Sequence, residues 1–311
     1  MHDTDDAPGK SHVHRHPHPP EDPSGRPRIG FVGAGRVGTL LGRAFSQAGW
    51  PVTGVVGRRP ERLDDFRRLV PTARAFVRPT DLLDEVELIF LTVPDDFVGE
   101  VAQAIRLYGG QAIVHTSGAL AASVLDPARA AGTQAGSFHP LIAVADPDRA
   151  LADLRGATVA LEGDEALMPL LGDMAEAIGA QPVVLPPGGK PAYHAAAMLA
   201  AGGFIGLLDG IAEVARGAGL DESGALAVYG SLVRQSLANA ESLGIREALT
   251  GPFVRGDVGT ITSHLDALRH GAPGALPLYR AVAGRELALA EARGALSNEA
   301  AARIRAILDE R

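Results

Sequence analysis

The chain contains no cysteine. This excludes disulfides, thiolate nucleophiles, iron–sulfur clusters and cysteine-based zinc sites. An excess of positive charge is also missing: 29 basic residues stand against 37 acidic ones, for a net charge of −8. That balance argues against a nucleic-acid partner and against an anionic membrane surface. The amino-terminal residues do not form a signal peptide, since Asp3, Asp5 and Asp6 stand where a basic region belongs. The longest apolar run, Ala195 to Leu208, falls short of the roughly 20 residues needed to cross a bilayer and contains Gly202, Gly203 and Gly206. It reads as a buried helix, and the expected location is cytoplasmic. What is present is a globular balance, 46% hydrophobic and 21% charged over 311 residues. A chain of this length accommodates two domains.

The chain divides into three parts. Residues 1–26 carry His2, His12, His14, His16 and His18 among prolines and acids, without apolar periodicity. The segment reads as a solvated, disordered tail with at most adventitious metal affinity. Residues 27–187 alternate strands and helices. Strands are predicted over 28–32, 52–57, 73–77, 87–93, 112–116, 135–138, 157–161 and 182–185. Helices are predicted over 37–48, 61–69 and 166–178, with a short helix capped by Thr80 and a longer one capped by Asp95 or Asp96 and running to Tyr108. This alternation implies a mostly parallel sheet covered on both faces. Residues 188–311 lose the strand signal, and helices are predicted over 191–217, 222–243, 257–269, 275–293 and 298–309. Asp221 and Ser297 suit N-caps, and Gly219, Gly244, Gly271 and Gly294 suit stops. The predicted fold is thus an α/β doubly wound sheet followed by an all-α domain, without internal repeats.

Gly33-Ala34-Gly35-Arg36-Val37-Gly38 follows the first strand and opens the first helix. In that context the glycines allow a tight turn, backbone approach to a pyrophosphate, and close packing of helix on strand. The helix start offers unpaired N–H groups to the phosphates. The first domain is therefore expected to be a Rossmann-type dinucleotide-binding unit. At the end of the second strand, where an NAD site places an acid, the chain has Arg58 and Arg59. Two guanidiniums suit the 2′-phosphate of NADP(H). Val93-Pro94 and Thr116-Ser117-Gly118 end later strands, and strand ends of this kind line the ribose and nicotinamide.

These pieces, with His115, Gly136-Ser137-Phe138-His139-Pro140-Leu141, Lys190-Pro191-Ala192-Tyr193-His194 and Gly251-Pro252-Phe253-Val254-Arg255-Gly256-Asp257, resemble oxidoreductases that join a Rossmann-like domain to a helical domain of unknown function, DUF2520. The wider relatives are the 6-phosphogluconate dehydrogenase-like enzymes, among them β-hydroxyacid dehydrogenases, ketopantoate reductases and pyrroline-5-carboxylate reductases. The resemblance implies hydride transfer between NADP(H) and a small carbonyl compound, with ketopantoate one candidate. An imine or a deazaflavin is the alternative acceptor. One departure stands out: relatives commonly have a polar pair after the Tyr-His-Ala-Ala stretch, where this chain has Ala201 and Gly202. That departure is the best support for a reading of another class, a dinucleotide-binding sensor without turnover.

Reduction of a carbonyl places negative charge on oxygen and calls for a donor aimed at it. Lys190, expected near an N-cap before Pro191, is the first candidate, its pKa lowered by the positive helix end. The β-hydroxyacid dehydrogenases have a catalytic lysine followed four residues later by asparagine. Here that later position is His194, on one helix face with Lys190. His139, at a strand end, is a candidate for substrate or cofactor contact, whereas His115 reads as structural. Asp257 suits a helix cap and shares a face with Thr260 and His264, and Arg255 suits a substrate carboxylate. No metal is expected, and the small-residue-rich helices of the second domain are compatible with a homodimer.

Overall fold

The computed structural model describes residues 25–144 and 147–310. The histidines of the tail lie outside the described residues. The chain separates into two compact units, Met1–Ala197 and Met198–Arg311. The division falls beyond the expected junction at 187/188 because the helix carrying Lys190 stays with the sheet.

The first unit is a sheet of eight strands: β1 (Ile29–Val32), β2 (Val52–Val56), β3 (Arg74–Phe76), β4 (Leu88–Leu91), β5 (Ala112–His115), β6 (Gln134–Pro140), β7 (Thr158–Gly163) and β8 (Gln181–Val184). They lie in the order β3-β2-β1-β4-β5-β6-β7-β8. All neighbours are parallel except β6 and β7. The helices are α1 (Arg36–Gln47), α2 (Pro60–Leu69), α3 (Pro79–Leu83), α4 (Asp95–Ala104), α5 (Pro147–Asp153), α6 (Met168–Ala177) and α7 (Lys190–Met198). Two of the expected caps shift. Arg78 precedes α3 and Thr80 lies inside it, because Pro79 takes the first helical position, where its fixed φ fits and its missing N–H is no loss. Pro94 precedes α4, so Asp95 and Asp96 both sit in its first turn, which ends at Ala104 rather than Tyr108.

The apolar strands are buried on both faces, as a covered parallel sheet requires. On one face Phe31, Phe90, Val114, Phe138 and Leu161 meet Leu41 and Phe45 of α1, Phe66 of α2 and Leu171 of α6. Here Phe90 stands between Phe31 and Phe138, with ring centroids 5.3 and 5.8 Å away. On the other face Val32, Ile89, Leu91, Ile113 and Ala135 meet Leu82 of α3, Val98 of α4 and Leu125. Trp50 is buried just before β2, with the Arg26 guanidinium 4.7 Å over its ring.

The second unit holds α8 (Phe204–Ala215), α9 (Glu222–Leu243), α10 (Ile245–Ala248), α11 (Pro252–Arg255), α12 (Val258–Gly271), α13 (Leu276–Ala292) and α14 (Asn298–Asp309). Asp221 and Ser297 cap α9 and α14 by accepting from the N–H of Gly224 and of Ala300. Phe253, Ile261, Leu265, Leu287, Ile304 and Leu308 form its main core.

The expected buried helix over 195–208 is not buried. Helix Lys190–Ala218 is 29 residues long and apolar enough to cross a membrane by length and composition, and 11% of its apolar window is buried. The apolar character does not end at Leu208: Ile211, Ala212 and Val214 continue it, interrupted by Asp209 and Glu213. The neighbouring α9 buries Ala225 alone, leaving Leu226, Val228, Leu232, Leu237 and Leu243 exposed.

Candidate functional site

The strand order reverses between β1 and β4, and open α/β sheets take ligands at such a reversal, beyond the carboxyl ends of the strands. Gly33–Gly38 leaves the end of β1. Gly33 has φ +117°, and a side chain there would place Cβ 2.5 Å from the Thr92 carbonyl oxygen. At Gly38 a Cβ would lie 2.3 Å from the Gly33 carbonyl oxygen. Thr92 Oγ1 donates to that same carbonyl at 2.6 Å, tying the turn to β4. Gly35 differs from both: the nearest atom to its Cβ position is 3.8 Å away. The outer glycines therefore serve the fold, and the space over the middle one is open. Gly35 precedes α1 without a side-chain cap, and no acid stands in the first turn. Arg36 is exposed there and Val37 half-buried. Ala34 approaches Gly57, whose Cβ position is 3.6 Å from the Ala34 Cβ, so the end of β2 adjoins the turn. Arg58 and Arg59 follow, both exposed. The Arg58 guanidinium rests 5.0 Å over the Phe97 ring of α4.

Moving along the strand ends from β1 through β4 and β5 to β6 covers roughly 14 Å, at about 4.8 Å per strand. A second set of polar groups gathers at the far end. In register across β5, β6 and β7 stand His115, Ser137 and Glu162, with His139 two residues beyond Ser137 on the same face of β6. Into this face comes Lys190, the first residue of α7 and 1% exposed. Its Nζ donates to the Ser117 carbonyl oxygen at 2.5 Å. The rings of Tyr193 and His194 stand 5.8 and 6.0 Å from that of His139. Burial pushes the Lys190 amine down to about 8, against the pull of the Glu162 and Asp95 carboxylates. Removal from water is the main cause of the lowering. Burial likewise depresses His139 to about 4, with the charges of Lys190 and His194 adding to the effect, and raises Tyr193. Several buried polar atoms here have no partner among the described residues: His139 Nδ1, His194 Nδ1, Tyr193 OH, Ser137 Oγ and Glu162 Oε2. Buried polar groups are ordinarily paired, so such a cluster is suited to a polar ligand or to ordered water.

Comparison with known proteins reproduces this order of parts. Residues 18–140 match the model of the Rossmann-like domain, and residues 157–286 match a domain of unknown function (DUF2520). The chain joins a Rossmann-like domain to a DUF2520 domain. A curated relative, the glycerol-3-phosphate dehydrogenase (NAD(P)+) of Desulfitobacterium hafniense, is 32% identical over 140 residues, covering 40% of this chain. The match spans only 38% of that relative's length. Among solved structures, protein TM1727 of Thermotoga maritima is similar with a TM-score of 0.66 and 24% identity, over 85% of this chain and 99% of that one. An imine reductase from a Pseudomonas species is similar with a TM-score of 0.65 and 18% identity, over 88% of this chain and 100% of that one. At these identities the two structures establish a shared fold.

Within this DUF2520 protein the residues singled out from sequence fall into separate places. Gly33 to Gly38, Arg58, Arg59, Val93 and Pro94 meet at the ends of β1, β2 and β4, and Lys190, His194 and His139 meet beyond β5 and β6. Ser117 is buried, and its hydroxyl is fully engaged: it donates to Asp95 Oδ2 at 2.7 Å and accepts from the N–H of Ala119 and of Leu120. His115, expected to be structural, is fully buried at the end of β5. Its Nδ1 accepts from the Ser117 N–H at 3.1 Å, its Nε2 faces the Ala121 carbonyl at 3.3 Å, and burial drives it down to about 3. Arg255 and Asp257 lie in the helical unit. Asp257 caps α12, accepting from the N–H and from the hydroxyl of Thr260 at 3.0 and 2.7 Å. His264 does not join that pair; its Nδ1 lies 3.0 Å from Tyr279 OH. Ala201 and Gly202 fall in a π-turn over Leu199–Gly203. Among the described residues no group of acids and histidines could hold a metal ion.

Asp95 and Glu162 were missed in the sequence because each looks like an ordinary surface acid in its own element. One available signal was lysine itself: the chain has only Lys10 and Lys190. Where every other cation in the described residues is arginine or histidine, one buried lysine marks a position that needs an amine able to lose its proton.

Proposed function

We propose that this chain is an NADP(H)-dependent oxidoreductase that reduces a small carbonyl compound, a 2-oxo acid or its close relative. The observation that carries the reading is the Lys190 amine, buried, bound to a backbone carbonyl and surrounded by unpartnered polar atoms. The dinucleotide half rests on the open space over Gly35 beside an uncapped helix start. Val93 and Pro94 would line the ribose side, and Arg58 and Arg59 would take the 2′-phosphate by charge-assisted hydrogen bonds. The curated relative is a dehydrogenase named for NAD(P)+, and the imine reductase shares the fold.

When bound, a reduced nicotinamide supplies the hydride. The rest falls to the chain. Lys190 Nζ keeps one N–H on Ser117 and has further donors for the substrate oxygen. With a pKa lowered to about 8, it holds its proton at neutral pH and releases it readily as charge develops on that oxygen. Tyr193 OH and the Nδ1 atoms of His139 and His194 supply partners for the remaining polar groups of a small substrate. The His139 ring, held neutral at pH 7, orients substrate without competing for the proton. NADPH oxidation against a panel of 2-oxo acids, ketopantoate among them, and cyclic imines tests the reading. Turnover that disappears in Lys190→Ala with NADPH affinity intact supports it. Tight NADPH binding with no turnover on any member, in wild type and variant alike, favours a sensor.

Helix α9 supports a homodimer. Its exposed Val228, Leu232 and Leu243 share one side, and Leu226 and Leu237 lie on another. Exposed apolar surface of this kind marks a protein interface, and a second copy would cover it.

A further inference from the structure

We propose that Ser117 is a positioning residue, the middle of a relay that begins at the Asp95 carboxylate and fixes where the Lys190 amine points. The inference rests on the reading of Lys190 as the proton donor. Lys190 brings its own side chain into the site, but what its Nζ meets is the Ser117 carbonyl oxygen. A carbonyl on a turn is a fixed anchor only if the turn is fixed. Every hydrogen-bonding atom of Ser117 is used for that purpose. Its N–H is held by His115 Nδ1, and its hydroxyl accepts from Ala119 and Leu120 while donating to Asp95. A hydroxyl has one donor and two acceptor sites, so the account is complete and leaves nothing for a ligand.

The same turn touches the other ionisable groups. A Cβ at Gly118 would lie 2.6 Å from His194 Nδ1 and 2.7 Å from His139 Nε2, so the turn also sets how near the two imidazoles come. Asp95 stands in the first turn of α4, directly after Val93 and Pro94 at the end of β4. The relay therefore joins the segment assigned to the dinucleotide to the amine assigned to the substrate. Displacement of α4 would be passed through one short hydrogen bond to the donor. The groups facing Lys190 are Asp95 from α4, Glu162 from β7, His115 from β5 and His139 from β6, with His194 and Tyr193 on its own helix. The two carboxylates raise its proton affinity and burial lowers it.

The chain has two lysines, so protein grown on lysine carrying carbon-13 at the ε position gives two signals, with Lys10 as the internal reference. In Asp95→Asn, which keeps the shape and removes the charge, the Lys190 signal should titrate at lower pH than in wild type while Lys10 does not move. In Ser117→Ala, which keeps the carbonyl and loses the tether, the Lys190 signal should broaden or split. The rate constant for NADPH oxidation should fall roughly tenfold to a hundredfold with the NADPH Kd unchanged, as small misplacement of a reacting group does, and Ser117→Thr should recover part of the loss. Should Ser117→Ala fail to fold, the exposed Asp95 variant still decides. Lys190 signals that match wild type in Asp95→Asn overturn the relay. Because the resonance needs no turnover, an altered signal in a protein that reduces nothing would sink the enzymatic reading and leave the relay standing.

Discussion

Lys190→Met should make the protein more stable at pH 7 while removing its activity. The buried amine has its pKa moved from 10.5 to about 8 by loss of water. At about 1.4 kcal/mol per decade, the charged form is disfavoured in the fold by roughly 3 kcal/mol. Methionine fills similar space without charge but leaves the Ser117 carbonyl unpaired, which returns about 1–2 kcal/mol. The expected net gain is about 1–2 kcal/mol in urea unfolding at pH 7. The pH dependence is the sharper test. Between pH 8 and 10.5 the folded chain has released the Lys190 proton and the unfolded chain has kept it, so stability rises with pH. From pH 8 to pH 10 stability should rise by about 2 kcal/mol more in wild type than in the variant. Tyr108, Tyr193 and Tyr279 have raised values; their effect has the opposite sign and sets in as pH nears 10, but it is common to both proteins and cancels in the difference. Wild-type and variant curves that run parallel from pH 8 to 10, together with a variant less stable at pH 7, would refute the argument that burial sets this amine.

Gly35→Ala should fold normally and lose NADPH affinity, whereas Gly38→Ala should fail to fold, since its new Cβ would meet the Gly33 carbonyl oxygen at 2.3 Å; thermal melts and a fluorescence titration separate the two outcomes. Arg58→Ala with Arg59→Ala should weaken NADPH by about tenfold or more and leave NADH nearly unchanged, as expected for lost charge-assisted bonds to one phosphate. Light scattering should give twice the 32.2 kDa chain mass, and Leu232→Glu with Leu237→Glu, one on each apolar side of α9, should give the monomer. Equal loss of both coenzymes, or a monomeric wild type, would remove the respective assignment.

Much of the fold was legible because periodicity and caps are local. The helix over 222–243 matches the structure at both ends, since Asp221 and Gly244 mark them with side-chain and backbone chemistry of their own. The turn Gly33–Gly38 was legible for the same reason. What escaped was whatever depends on distant partners. The antiparallel setting of β7 is a matter of which strand it meets, and residues 158–163 carry no mark of direction. Asp95 was read as a possible helix cap, yet its carboxylate is spent on Ser117, 22 positions away. The burial of Lys190 could not be read from its neighbours, which include two glycines and a proline. The exposure of α9 was equally hidden, because a leucine-rich helix has the same sequence whether its cover comes from its own chain or from another.

The single tryptophan makes the two halves separately observable. Trp50 is buried in the α/β unit, so its emission follows that unit alone, while ellipticity at helical wavelengths draws heavily on α8 to α14. If nucleotide tightens only the sheet side, saturating NADPH should delay the emission change in a denaturant ramp and leave the ellipticity change partly behind. Emission and ellipticity curves that coincide and shift together with coenzyme would instead reveal one cooperative melting event across the chain.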